Sequence, residues 1–208
     1  MRETPFFIDG PMGQLEALYL DVADARGVAL LCHPNPVQGG TMLNKVVSTL
    51  QRTARDAGLS TLRFNYRGTG ASAGSHDMGS GEVDDAQAAF DWLRGQTDLP
   101  VSVLGFSFGG FVAASLAGRL EAAGRPVQHL FMVAPAVMRL SAEHPLPQQC
   151  ALTVIQPDAD EVVAPQAVYD WSSALARPHE LLKVAECGHF FHGKLTELKD
   201  LILPRLSN

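Results

Sequence analysis

Apolar and polar positions follow two different rhythms along this chain. Short, nearly continuous apolar runs recur at Val28–Leu31, Leu59–Asn65, Val101–Phe106, Leu130–Ala134, Ala151–Ile155 and Leu181–Ala185. Runs of that length and content suit strands buried on both faces of a parallel sheet. Between them, apolar residues fall at helical spacing. Leu43, Val46, Val47, Leu50 and Ala54 share one face, as do Val83, Ala86, Phe90 and Leu93. Glu82, Asp84 and Asp85 suit the positive end of that second helix. Ser107–Ala123 is rich in Ala and Gly and can pack close to a sheet; Val168, Trp171 and Leu175 predict a fourth helix, and Phe191, Leu195, Leu198 and Ile202 a last one. Ahead of this alternation, Phe6–Ile8 and Leu15–Val22 flank Gly10-Pro11-Met12-Gly13, which predicts an antiparallel hairpin. The pattern predicts a mostly parallel, doubly wound α/β sheet over a single domain, residues 1–208.

Composition narrows the setting. With 208 residues, the chain can bury roughly 70% or more of its unfolded surface and needs no disulfide or metal staple. The net charge of −6 and the absence of a Lys/Arg cluster argue against a nucleic-acid partner. No apolar run approaches the roughly 20 residues of a membrane span, and the first residues lack the apolar core of a signal peptide. Cys32, Cys150 and Cys187 make an odd count without a CxxC pair, as in a cytoplasmic protein with reduced thiols. Cys32-His33 and Cys187-Gly188-His189 lack the spacing of a closed zinc site.

One turn changes the picture. Strand Val101–Phe106 runs straight into Gly105-Phe106-Ser107-Phe108-Gly109-Gly110 and then into a helical stretch. A serine on a sharp strand-to-helix turn projects its hydroxyl above the sheet, and glycines two residues to each side remove side chains that would collide there. Ser107 is therefore the candidate nucleophile.

A serine nucleophile in this setting needs an acid and then a base, each on a loop after a later strand. The loop after Ala151–Ile155 offers Asp158, Asp160 and Glu161. Asp160 precedes Val162-Val163, which can anchor the loop in the core, so it is the favoured acid. Asp158, closer to the strand, can cap the turn instead. Glu161 points opposite to Asp160 if the segment is extended. The loop after Leu181–Ala185 offers His189 as base, with His192 about one helical turn later. His33 is placed to shape a loop rather than take protons, and His76, His129, His144 and His179 have no supporting context.

The oxyanion that develops on a carbonyl substrate needs backbone N–H donors. Phe108, the residue after the nucleophile, supplies one. The loop His33-Pro34-Asn35-Pro36 supplies the other, and because proline has no N–H, Asn35 is the only donor between His33 and Val37.

Taken together, these segments resemble the small, lidless α/β-hydrolases of bacteria. The likeness runs through His33-Pro34-Asn35-Pro36, Gly39-Gly40-Thr41-Met42, Asn44-Lys45-Val46-Val47, Leu62-Arg63-Phe64-Asn65-Tyr66-Arg67-Gly68-Thr69-Gly70-Ala71-Ser72, the serine turn, Asp158-Ala159-Asp160-Glu161-Val162-Val163 and Gly188-His189-Phe190-Phe191-His192-Gly193. Pro157 stands where a glycine is usual. The resemblance implies the α/β-hydrolase fold and a triad of Ser107, Asp160 and His189, and it favours Asp160 over Asp158. It further implies hydrolysis of a small-molecule acyl substrate by water, with no cofactor. An ester is the first expectation. A thioester, amide or carbon–carbon bond, or a non-catalytic binding role, are the alternatives. Only Pro135 to Cys150 separates two strands where lipid-acting relatives insert a lid, so an open cleft bordered by Phe108, Val137 and Phe190 is expected.

Overall fold

The structure is a computed structural model and describes residues 2–141 and 145–207; His144 lies outside the described residues. Strands β1 (Thr4–Gly10) and β2 (Gly13–Leu20) form the antiparallel hairpin, with Gly10 opposite Gly13. The other strands are β3 (Val28–Cys32), β4 (Ser60–Phe64), β5 (Val101–Phe106), β6 (His129–Val133), β7 (Ala151–Pro157) and β8 (Glu180–Val184). One eight-stranded sheet results, in the order β1-β2-β4-β3-β5-β6-β7-β8. Only the pairings of β1 with β2 and of β2 with β4 are antiparallel. Among the described residues, five α-helices accompany it: α1 (Lys45–Asp56), α2 (Ser80–Gln96), α3 (Phe108–Ala122), α4 (Pro165–Ser173) and α5 (Leu195–Leu206).

The period of two along each central strand sorts its side chains onto two cores. Val28, Leu30 and Cys32 of β3, with Val101 and Val103 of β5, face α2 and α3. Ala29 and Leu31, with Leu104 and Phe106, face α1 and α5. This two-sided burial explains why the strands read as continuous apolar runs. The expected stripe Val83, Ala86, Phe90 and Leu93 is fully buried on α2. Every residue of α3 from Phe108 to Gly118 is buried, as its small residues allow.

Three helix ends differ from the sequence reading. Leu43 is 61% exposed and precedes α1, because the Asn44 side chain caps that helix by accepting the Val46 N–H at 2.8 Å. Leu175 lies past the end of α4. Phe191 precedes α5 with a φ of 54°, yet its ring is buried in the α1/α5 core. Burial alone therefore mimicked helical periodicity at both sites.

After β3 the chain crosses to β4 on one side, then returns through α2 to β5 on the other. Loops after β3 and β5 thus part at the carboxyl ends of the strands, the crevice where open α/β sheets place ligands. The connection after β6 holds one 3-10 turn, Val137–Arg139, and among the described residues no lid domain follows it.

Candidate active site

Ser107 stands alone between β5 and α3, with φ 57° and ψ −118°. Few non-glycine residues adopt such a backbone, and holding one there costs of order 1–3 kcal/mol. The surroundings fix it. The Ser107 N–H donates to the Val133 carbonyl at 2.9 Å, and its own carbonyl accepts the N–H groups of Gly110 (2.9 Å) and Ala136 (3.1 Å). A Cβ on Gly105 would overlap the Gly109 carbonyl, and one on Gly109 would overlap the Cys32 carbonyl. Both glycines of the motif are thus required by close backbone approach.

Three side chains from three loops meet at this turn. His189 Nε2 lies 3.0 Å from Ser107 Oγ, and His189 Nδ1 lies 2.8 Å from Asp160 Oδ2. Asp160 is buried and its Oδ1 accepts the N–H groups of Val162 (2.8 Å) and Val163 (2.7 Å). Burial works against its charge, but the bond to His189 and those two N–H donors outweigh it, so the carboxyl stays below its ordinary range. Asp158 is exposed on the surface, and its N–H donates to the Val184 carbonyl. His192 is exposed in the turn before α5.

Two supporting groups were not anticipated. Gln156 is fully buried and its amide donates to Asp160 Oδ2 at 3.1 Å and to the Pro157 carbonyl at 3.0 Å. The chain turns at Asp160 instead of running extended, which carries Glu161 over to the neighbouring loop. There its carboxylate accepts the His189 main-chain N–H at 3.0 Å, and that bond holds the Glu161 carboxyl below its ordinary value. The sequence offered Glu161 only as a competing acid, and Gln156, just past the predicted strand Ala151–Ile155, carried no signal of its own.

The loop after β3 passes over the first turn of α3. Asn35 caps the 3-10 turn Pro36–Gln38: its Oδ1 accepts the Val37 N–H at 3.0 Å, and its carbonyl accepts those of Gln38 and Gly40. Among the described residues, no protein group accepts the main-chain N–H of Asn35 or of Phe108. His33 is buried, with Nδ1 2.7 Å from the Pro34 carbonyl and Nε2 accepting the Tyr66 N–H at 3.1 Å. Burial lowers its pKa to about 3, so it stays neutral and braces the loop.

The expected cleft border needs correction. Phe108 and Val137 are buried, Phe108 against Tyr66 and His76, so neither forms the rim. Val37, Met138, Val162 and Phe190 are among the exposed apolar residues on these loops. Cys32 and Cys187 are buried thiols whose pKa values burial pushes up to about 12 and about 11, unsuited to thiolate chemistry.

A cavity of about 600 Å³ lies at the amino ends of β5 to β8, away from Ser107, lined by Arg26, His129, His179, Glu180 and Arg205 among others. Those groups already have partners. Arg26 donates to the carbonyls of Ala57, Leu206 and Ser207, His129 meets Thr153, His179 meets Ser172, and Glu180 pairs with Arg205. This cavity therefore carries no free chemistry comparable to that at Ser107.

Known proteins share this fold. The family model described as a thioesterase domain matches residues 84–148, which include the serine turn. An uncharacterised protein of Rickettsia prowazekii is 33% identical over 212 residues, covering 94% of this chain and 85% of its own. An α/β serine hydrolase without a lid from Xanthomonas campestris is 39% identical with a TM-score of 0.88, over 99% of this chain and 94% of that one. An α/β serine hydrolase homologue from Coxiella burnetii is 36% identical with a TM-score of 0.91, over 99% and 98%. With likeness of that extent and one unbroken sheet topology, this chain belongs to the lidless α/β serine hydrolases.

Proposed function

We propose that this hydrolase cleaves small, soluble carboxylic esters through an acyl-enzyme formed on Ser107. The observation that carries the reading is the hydrogen-bonded line Ser107–His189–Asp160, which stands at the amino end of α3. Ser107 Oγ attacks the ester carbonyl while His189 Nε2 takes its proton. Asp160 accepts from Nδ1–H, fixing the imidazole tautomer and stabilising the imidazolium. The N–H groups of Phe108 and Asn35 receive the oxyanion, a contribution of roughly 3–4 kcal/mol per donor in acyl-transfer enzymes. His189 returns the proton to the departing alkoxide. It then activates a water molecule that releases the acid and restores Ser107.

The short connection after β6 and the modest apolar rim support short acyl groups. The three buried free thiols support a cytoplasmic setting. A second reading, thioester hydrolysis, is favoured by the thioesterase-domain match over residues 84–148. Oxygen esters and thioesters with the same acyl group separate the two. Higher kcat/KM on the oxygen ester supports the first reading, and preference for the thioester supports the second. No turnover of either would overturn both.

A further inference from the structure

We propose that Arg139 is a specificity-determining residue, recognising an anionic oxygen pair, as in a carboxylate or phosphate, carried a few bonds from the scissile carbonyl. This rests on the reading of Ser107 as nucleophile. Arg139 ends the 3-10 turn after β6, and that turn is docked on the nucleophile itself. The Ala136 N–H donates to the Ser107 carbonyl at 3.1 Å, and the Arg139 N–H donates to the Ala136 carbonyl at 3.0 Å.

The guanidinium is held in a defined pose. Its carbon lies 5.1 Å over the ring of Phe108, whose main-chain N–H is the proposed oxyanion donor. One nitrogen, Nη1, donates to the Met78 carbonyl at 3.0 Å, on the loop after β4. The edge formed by Nε and Nη2 has no acceptor among the described residues. That edge is the one a guanidinium uses to grip two oxygens at once.

Charge around the site points the same way. Arg63 and Arg67, on β4 and the loop after it, each meet a carboxylate, whereas Arg139, like Arg26 and Arg177, meets none among the described residues. The β7 and β8 loops expose Asp158, Glu161 and Glu186. An anionic substrate group is repelled by those carboxylates and drawn to Arg139, which orients the substrate across the oxyanion donors.

A purely structural role, clipping the Met78 loop to Phe108, predicts losses that ignore substrate charge. The test uses three nitrophenyl esters of matched length, ending in a carboxylate, a phosphate or a neutral methyl ester. The wild type should favour an anionic ester through KM, and the two anionic arms tell carboxylate from phosphate. Arg139→Gln should shrink the anionic-to-neutral ratio of kcat/KM about tenfold, chiefly through KM. Arg139→Glu should invert it, and Arg139→Lys should restore part of it. Equal losses on all three esters, or a wild type that favours the neutral ester, would overturn the proposal. Fluorophosphonate labelling of Ser107, followed in parallel, distinguishes this from failure of the nucleophile itself.

Discussion

The carboxylate of Glu161 accepts the main-chain N–H of His189 at 3.0 Å, while Asp160, one residue earlier, holds the ring of the same histidine at 2.8 Å. Two consecutive acids thus fix one imidazole from both its loop and its ring. Glu161 acts through His189, as a positioning residue. Glu161→Ala should lower kcat about tenfold with little change in KM. That is the size expected for losing one hydrogen bond to a charged group. Glu161→Gln, which keeps an acceptor oxygen, should recover most of the loss. Steady-state kinetics of the pair checks this, and equal losses in both variants would contradict a positioning role.

Asp160 and Asp158 should separate sharply. Asp160→Asn should cost about 10⁴ in turnover, by analogy with the carboxylate of serine-protease triads. Asp158 is exposed and away from His189, so Asp158→Asn should stay near wild type. The comparison is read as kcat on one soluble ester, and the reverse ranking would move the acid to Asp158.

Most of the frame was legible because burial and chemistry left local signatures. Ser107 is announced by its glycines, which the backbone contacts at Cys32 and Gly109 demand. His189 follows a strand end, and so does the acid loop. What stayed hidden depends on tertiary contact. Asp85 read as a helix-start charge, yet it is fully buried and bonds the Arg67 guanidinium at 2.8 Å. Glu82, expected in the same role, also accepts the N–H groups of Gly79 (2.7 Å) and Asp77 (3.0 Å). The Gly79–Glu82 bond follows the capping-box spacing, but no spacing rule reveals the partners at Arg67 and Asp77, which loop 65–79 brings in. Likewise, the burial of Phe108 and Val137 follows from how the turns fold back, which hydrophobicity alone does not specify.

Acid should weaken the fold through His33. Buried, this imidazole resists protonation until about pH 3, whereas the unfolded chain takes up that proton near 6.5. Between those values the unfolded state binds more protons, so stability is full above pH 6.5 and falls as pH drops towards 3. The slope from this one group approaches about 1.4 kcal/mol per pH unit. His129, lowered to about 4 chiefly by burial, adds a slope of the same sign. Urea midpoints from pH 7 to 4.5 check this. His33→Gln should be less stable at pH 7 but show a flatter pH slope than the wild type.

Access should follow from the lidless rim. With a single 3-10 turn after β6, nothing among the described residues is built to open at an oil–water boundary. Rates on nitrophenyl esters should fall as the acyl chain lengthens beyond a few carbons, with no jump above the solubility limit. Fastest turnover of emulsified long-chain esters would contradict the proposed substrate class.

The central claim is that Ser107 is a nucleophile activated by His189. Intact-mass measurement after treatment with a fluorophosphonate tests it most directly. One adduct per chain is expected, mapped to the peptide containing Ser107. It should be absent in Ser107→Ala and strongly slowed in His189→Ala. No adduct on the folded wild type, or an adduct that survives in Ser107→Ala, would contradict it.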